Sequence, residues 1–225
     1  MTKIYIPSSG PGDWKALLAD PEKHWARGYS ARSLAHAWEN SDGFPTEILN
    51  VLRQSAALQR IEPLLIFPEW KVPLPGGRTA SQNDVWVLAK SDSGLVSIAI
   101  EGKVEESFDK TVGEWKVKAS KGKQVRLVYL SEVLGLSDTL PDSIYYQLLH
   151  RTASAVIEAE RFGATQAVMI IHSFSPNNRW FEEFKAFVTL FKADAVIGIL
   201  TTVEARNGLQ LHLAWVHGDE RYLNA

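Results

Sequence analysis

A nearly continuous apolar run at residues 167–174 is the feature that most constrains how this chain can fold. Runs of this kind are typical of strands that are buried on both faces. The preceding residues, 143–163, carry apolar side chains at helical spacing and end at Gly163, where a helix C-terminal cap belongs. A helix that leads into a doubly buried strand indicates a sheet with helices packed against it, which is the α/β class.

Upstream of this helix, helical patterns give way to strand patterns. An apolar stripe with a serine cap predicts a helix at residues 30–39, and a second helix is expected from Pro45 to about residue 58. Three strands are then predicted at residues 63–72, 83–90 and 95–104, with a tight polar turn between the second and the third. The predicted order is therefore helix, three-strand meander, helix and strand.

The remaining segments are expected to extend this core. A short strand is predicted at residues 125–130, between the meander and the long helix. The C-terminal part is predicted to form a helix at residues 180–191 and two strands at residues 195–203 and 209–216. The turn between those strands contains Asn207-Gly208, a typical hairpin sequence, so we expect the last two strands to pair with each other.

No repeat, low-complexity segment or linker interrupts the sequence, so we expect a single domain over residues 1–225. Within it the core covers about residues 30–175, and a C-terminal extension covers about residues 176–225. No window approaches the ~18 consecutive apolar residues of a membrane helix. We therefore expect a cytoplasmic protein that does not associate with a membrane.

The composition excludes several classes of chemistry. The chain has no cysteine, which excludes disulfides, thiolate zinc sites and cysteine nucleophiles. Its histidines lack metal-ligand spacing, and the sequence has no nucleophile elbow, no P-loop and no dinucleotide-binding glycine motif. The net charge is -2, so any contact with nucleic acid must use a local basic patch.

Two carboxylates are predicted to meet at one end of the second hairpin. Alternate side chains of a strand share a face, so Glu101 and Lys103 point the same way. If Lys90 pairs with Leu95 across the turn, the same register places Asp84 opposite Glu101. Neighbouring carboxylates resist ionising unless a cation lies between them, and hard oxygen ligands suit Mg²⁺ or Mn²⁺. Lys103 would then orient an attacking water or stabilise charge on a phosphoryl group.

Asp84, the strand–turn–strand after it and Glu101-Gly102-Lys103 resemble the signature of the PD-(D/E)XK nuclease superfamily, which includes type II restriction endonucleases and many repair and recombination nucleases. The predicted order of elements over about residues 30–175 is similar to the core of that superfamily. The resemblance implies a restriction endonuclease-like fold and a metal-dependent phosphodiesterase that cleaves nucleic acid, with DNA as the expected partner. It also implies Asp84, Glu101 and the Gly102 carbonyl as ligands of Mg²⁺ or Mn²⁺, and Lys103 as the catalytic lysine.

The sequence departs from the superfamily pattern in three places. Asn83 precedes Asp84 where a proline often stands, and Gly102 occupies a position where a β-forming residue is commoner. The stretch between the third strand and the next helix is also longer than the minimal fold needs, which indicates an insertion. Some members add a carboxylate from the first helix, and the candidates for it here are Glu39 and Glu47.

Further candidates lie close to the predicted site. Glu105 shares the face of Glu101, and Gln147 and Arg151 form a polar stripe on the helix expected beside the active-site strand. Arg151 is expected either to bind a phosphate through two N–H groups or to be a plain surface charge. A basic segment after the catalytic strand is expected either to contact a phosphate backbone or to form a solvated loop, and its lysines are Lys116, Lys118, Lys121 and Lys123.

Two alternatives to a nuclease stay open at this point. The chain can be a non-catalytic binding or assembly protein that retains the nuclease-like fold, which its net negative charge and its eight tryptophans suit. It can also have a different α/β fold, in which the Glu-x-Lys motif is accidental and its charges form an ordinary cross-strand ion pair. Nucleases of this class often form dimers, so a homodimer is a further expectation.

Overall fold

The computed structural model describes residues 4–6, 8–136 and 139–225, and these form a mixed α/β fold around one sheet. Its six strands are β1 (Glu62–Val72), β2 (Ser81–Ser91), β3 (Gly94–Lys103), β4 (Gln166–Ser173), β5 (Thr201–Glu204) and β6 (Gln210–His217). Their spatial order is β1–β2–β3–β4–β6–β5. The pairs β1–β2, β2–β3 and β5–β6 are antiparallel, whereas β3–β4 and β4–β6 are parallel.

Helices cover both faces of the sheet. The α-helices in the described part are α1 (Pro21–His24), α2 (Ser30–Glu39), α3 (Thr46–Leu52), α4 (Val112–Lys116), α5 (Lys121–Leu134), α6 (Tyr146–Phe162) and α7 (Phe181–Val188). Short 3-10 helices lie at Pro11–Leu17, Ala56–Leu58, Thr189–Phe191, Arg206–Gly208 and Glu220–Asn224. The long helix α6 ends at Gly163 in the left-handed conformation, as its sequence predicts.

Alternate residues of the central strands separate two apolar cores, one on each face of the sheet. Ala99 and Met169 lie in the core beneath α5, α6 and α7. Ile98 and Val168 lie in the core beneath α2 and α3. Strand β4 is buried along its whole length, as its apolar run predicts. The candidate site residues Glu101 and Lys103 therefore lie on a strand that is packed on both faces.

The predicted order of elements is present. Helix α2, the meander β1–β3, helix α6 and strand β4 follow each other along the chain, and α4 and α5 form the insertion between β3 and α6. Helix α7 and the antiparallel pair β5–β6 follow at the C-terminal end, as predicted. Within the residues that the structure describes, no helix has the length and apolar character needed to cross a membrane.

Three predicted elements differ from the structure. Residues 125–130, predicted as a strand, lie within α5, where Leu127, Leu130 and Leu134 are buried at helical spacing. The predicted strand at residues 195–203 is extended only at its end, in β5, because a left-handed turn at Gly198 interrupts it. The helix predicted after Pro45 is shorter than expected, since α3 ends at Leu52.

Candidate functional site

The β2–β3 hairpin brings Asp84 and Glu101 together at one end of the sheet. The ladder pairs Val85 with Ile100, which is the predicted register. One step further along, Asp84 lies across from Glu101, and the Gly102 N–H donates a hydrogen bond to Asp84 Oδ2 at 2.7 Å. Backbone pairing therefore fixes the distance between the two strands that carry these carboxylates.

Glu101 lies at the centre of a buried ion network. The residue is 2% exposed. Lys103 Nζ donates to Glu101 Oε1 at 2.7 Å, and Arg151 Nε, from α6, donates to Glu101 Oε2 at 2.6 Å. Burial alone would raise the pKa of Glu101, but the charges of Arg151 and Lys103 outweigh it and lower this pKa. Glu101 is therefore an ionised carboxylate with one cation on each oxygen.

A third carboxylate, Glu69, extends the pair into a row across three strands. The β1–β2 register places Glu69 across from Asp84, which itself lies across from Glu101. Gln82 Nε2 donates to Glu69 Oε2 at 2.6 Å. Burial and the charge of Asp84 raise the pKa of Glu69 to about 8. Glu69 is absent from the predicted set, and the sequence offers one signal for it, a lone acidic residue within an apolar strand.

Asp84, in the middle of the row, also has a raised pKa. Burial and then the charge of Glu101 raise the pKa of Asp84 to about 7, against the opposing charges of Arg151 and Lys103. Asp84 raises the pKa of Glu69, and Glu101 raises the pKa of Asp84, so the carboxylates of the row titrate as a coupled set. Glu69 and Asp84 therefore resist being ionised together unless a further positive charge binds in the site.

These side chains line a cavity of about 610 Å³, which we call the carboxylate cavity. Its polar wall contains Glu69, Asp84, Glu101, Lys103, Gln147 and Arg151. Its other wall comes from the N-terminal part of the chain and includes Leu18, His24 and Tyr29. A cavity of this size is in the range that accommodates a small ligand or part of a larger one.

A family model described as a domain of unknown function, DUF6946, matches residues 7–220. The chain belongs to the DUF6946 family. The match contains all six described strands and every residue of the polar wall, so the carboxylate cavity lies within the domain that defines the family. No curated protein and no solved structure matches the chain.

The other predicted carboxylates lie elsewhere in the fold. Glu39 accepts an indole N–H at 2.7 Å, and Glu47 is hydrogen-bonded to His172 Nε2 at 3.0 Å. Glu105 is exposed and pairs with Arg179 at the surface. None of these three glutamates is among the described residues that line the carboxylate cavity, so the third carboxylate comes from β1 rather than from the first helix.

The four lysines of the basic segment differ in their surroundings. Lys116 Nζ donates to Asp142 Oδ1 at 2.9 Å, and the side chains of Lys118 and Lys121 are exposed. Lys123 instead lines a second cleft. The structure therefore separates one lysine of the predicted set from the other three.

This second cleft adjoins the carboxylate cavity. It has a volume of about 540 Å³ and shares Gln147 and Arg151 with the cavity. Lys123, Arg126 and Arg151 line it, and we call it the cation cleft. Arg126 is the fifth basic residue of the same segment of the sequence, and the four predicted contact residues are its lysines.

Proposed function

We propose that this protein is a metal-dependent phosphodiesterase that cleaves nucleic acid, with its active site in the carboxylate cavity. The observation that carries the proposal is the row of Glu69, Asp84 and Glu101 across three strands, with Lys103 bonded to Glu101. The order of α2, β1–β3, α6 and β4 supports it, since a restriction endonuclease-like core has that order. On this proposal the protein is a PD-(D/E)XK nuclease that acts on DNA with Mg²⁺ or Mn²⁺.

The oxygen donors of the row fit a hard divalent cation. Asp84 and Glu101 would hold it with the Gly102 carbonyl, and Glu69 would stand beside them. The pKa of Glu69 is raised to about 8 and that of Asp84 to about 7 by burial and mutual repulsion, which a divalent cation would relieve. When bound, the metal would coordinate a phosphate oxygen and lower the pKa of the attacking water.

Lys103 and Arg151 supply positive charge to the same cavity. Lys103 would orient the attacking water or stabilise the charge that develops on the phosphoryl group. The planar guanidinium of Arg151 can bind a phosphate through two N–H groups. When Arg151 turns from Glu101 to a substrate phosphate, it releases the oxygen that it holds at 2.6 Å.

A non-catalytic binding protein is a second candidate, and specific observations favour it. Both oxygens of Glu101 already accept hydrogen bonds from cations. Over residues 4–6, 8–136 and 139–225, no group of three or more histidine, aspartate or glutamate side chains is arranged to hold a metal ion. A buried ion network of this kind can serve structure alone. The two candidates differ in how a divalent ion affects the stability of the protein.

A titration with Mn²⁺ distinguishes the candidates. We expect Mn²⁺ to raise the Tm of the wild-type protein, because an ion at 100 times its Kd stabilises the folded state by about 2.7 kcal/mol. Asp84→Ala removes one ligand and should abolish the rise. The matched control is Asp92→Ala, at the exposed turn of the same hairpin, which should keep the rise.

The outcomes of this titration test both the nuclease proposal and the role of Asp84 as a metal ligand. A wild-type Tm that does not respond to Mn²⁺ would favour the binding protein over the nuclease. An undiminished rise in Asp84→Ala would refute Asp84 as a metal ligand, and a rise lost equally in Asp92→Ala would show that the effect is not local to the cavity.

A further inference from the structure

Arg126 carries a buried positive charge at the wall of the cation cleft. The residue is 7% exposed. Its Nε donates to the Pro75 carbonyl at 2.8 Å and its Nη2 donates to the Leu74 carbonyl at 3.3 Å. These acceptors are neutral, and within the described part of the chain the ion pairs include no carboxylate partner for Arg126. A buried cation without a counter-charge is costly, so this wall favours an anion.

Lys123 adds a second cation of the same kind. Its Nζ donates to the Trp115 carbonyl at 2.8 Å and lies 4.9 Å from the centre of the Trp115 ring. Among the residues that the structure describes, no carboxylate lies within ion-pair distance of Lys123 either. Of the described residues that line the cleft, Asp109 is the one carboxylate. The charge of the cleft is therefore positive.

Tyr146 places a neutral donor beside these cations. Its hydroxyl is buried and lies next to the Arg126 guanidinium, which can only donate, so the hydroxyl proton has no acceptor among the described residues. Burial raises the pKa of Tyr146, so the hydroxyl keeps its proton. The Trp115 ring stacks on Tyr146 at 4.2 Å between centroids and holds this wall in place. An oxyanion in the cleft would accept the hydroxyl proton that lacks an acceptor.

A close backbone contact holds the Gly76–Gly77 turn against the helix that carries the two cations. Gly76 has a φ of +80°, and a Cβ at this position would lie 2.1 Å from the Gly122 carbonyl oxygen. The Gly76–Gly77 turn therefore lies directly against the first turn of α5, which also carries Lys123. A side chain at Gly77 would also approach Arg126 Nη2 to 3.1 Å, so glycine at these positions keeps the turn packed against the Arg126 wall of the cleft.

We infer that the cation cleft binds a phosphate group of the same nucleic-acid strand whose scissile phosphate lies in the carboxylate cavity. The placement of a scissile phosphate in the carboxylate cavity rests on the proposed function. The phosphate site's own support is the pair of cations without carboxylate partners, the Tyr146 hydroxyl proton without an acceptor, and the continuity of the two cavities. The cavities share Gln82, Asp109, Gln147 and Arg151. Phosphate oxygens are the acceptors that such donors bind most strongly.

Binding of a fluorescent oligonucleotide in EDTA, without any divalent ion, tests the inference apart from catalysis. We expect Lys123→Gln to weaken binding roughly tenfold, as for the loss of one charged hydrogen bond. The slope of log K against log salt should fall by about one unit, as for the loss of one phosphate contact. The matched control is Lys121→Gln, an exposed lysine two residues before Lys123 on the same helix, which should bind like the wild type.

Tyr146→Phe provides a second variant that removes only one oxygen atom. It should weaken oligonucleotide binding in the same direction as Lys123→Gln, and its Tm would show that the fold is retained. Equal binding by Lys123→Gln, Lys121→Gln and wild type would overturn the inference. Competition by adenosine monophosphate or inorganic pyrophosphate identifies the source of the phosphate. If these bind through Lys123 and the oligonucleotide does not, the strand is the wrong ligand.

The test separates this inference from the proposed function. Loss of oligonucleotide binding in Lys123→Gln, together with no Mn²⁺-dependent cleavage by wild type, would leave the phosphate site standing and remove the nuclease. Mn²⁺-dependent cleavage by wild type, together with unchanged binding in Lys123→Gln, would leave the nuclease standing and remove the phosphate site.

Discussion

The carboxylate cavity and the cation cleft are neighbours that share Arg151, and they differ in whether their charged groups have partners of opposite charge. In the cavity, Glu101 is neutralised within the protein, because Lys103 and Arg151 each hold one of its oxygens. In the cleft, Lys123 and Arg126 donate only to neutral carbonyl groups. The cavity is thus stabilised by its own ion network, whereas the cleft gains most from a ligand that brings negative charge.

Arg151 connects the two regions because it lines both. Its Nε donates to Glu101, and its Nη1 lies 3.4 Å from Ser81 Oγ, which in turn lies 2.8 Å from His150 Nδ1 in the cleft. A ligand phosphate that engages Arg151 therefore changes the charge balance of the carboxylate row as well. If both proposed sites bind their ligands, anion binding in the cleft and cation binding in the cavity should favour each other.

The largest expected effect is the loss of cleavage activity when Lys103, in the carboxylate cavity, is replaced by alanine. Lys103→Ala should lower the rate of Mn²⁺-dependent cleavage of an oligonucleotide by roughly 10²–10³-fold, because it removes the charge that stabilises the transition state. The Mn²⁺-dependent rise in Tm should persist, since Asp84 and Glu101 remain. The matched control is Lys71→Ala, an exposed lysine on β1. Cleavage by Lys103→Ala at the wild-type rate would exclude a catalytic role for this lysine.

The next effect tests the ion network through Arg151. Arg151→Met should lower the free energy of unfolding in EDTA by about 3 kcal/mol, because it leaves the buried Glu101 with one cation instead of two. The same variant should show a larger Mn²⁺-dependent rise in Tm than wild type, since an oxygen of Glu101 is released. Urea unfolding with and without Mn²⁺ measures both quantities.

Arg161→Met, on the same helix, is the control for this variant. Arg161 is 58% exposed and pairs at 3.5 Å with Glu158, which is 1% exposed and is not among the residues that line the carboxylate cavity. This variant therefore also removes a cation from a buried glutamate, but it should leave the Mn²⁺ response unchanged. A Mn²⁺ response in Arg151→Met that is no larger than in wild type would contradict competition between Arg151 and the metal for Glu101.

The part of the site that follows from local geometry could be predicted from the sequence. The turn at residues 91–94 is short, so it fixes the register of the second hairpin and with it the position of Asp84 across from Glu101. The first hairpin has a loop of eight residues between β1 and β2, and such a loop does not fix a register. Glu69 is therefore brought to the site by a pairing that the sequence leaves open.

The wrong strand prediction at residues 125–130 and the misplaced carboxylates Glu39 and Glu47 have physical causes as well. Helix α5 buries Leu127 and Leu130 but exposes Val125 and Val128, so residues 125–130 carry apolar side chains on both faces of the helix. A short apolar run of this kind is also typical of a strand. The helices α2 and α3 pack against the face of Ile98, opposite the face that Ala99 shares with Glu101, which keeps the acidic side chains of Glu39 and Glu47 away from the cavity. Which face a helix covers depends on tertiary packing and not on its own sequence.

The smallest expected effect is a pH dependence of stability that comes from His150, which lines the cation cleft beside Arg151. Burial and the charges of Arg151, Arg126 and Lys103 lower the pKa of His150 well below 6.5, so it is neutral in the folded protein. The unfolded chain takes up this proton below about pH 6.5. Stability from this group is therefore present above that pH and is lost as the pH falls, with a slope of at most about 1.4 kcal/mol per pH unit.

The comparison of wild type with His150→Asn isolates this slope from those of the other histidines. Asn retains a polar atom near the position of Nδ1, which lies 2.8 Å from Ser81 Oγ, and does not titrate. Urea unfolding between pH 4.5 and 8 should show that wild type loses stability more steeply than the variant below about pH 6.5. Phosphate or oligonucleotide in the cleft should reduce the difference, because a bound anion offsets the cations that disfavour protonated His150. Parallel curves for the two proteins would show that the cations of the cleft do not act on His150, and would weaken the distinction between a neutralised cavity and a positively charged cleft.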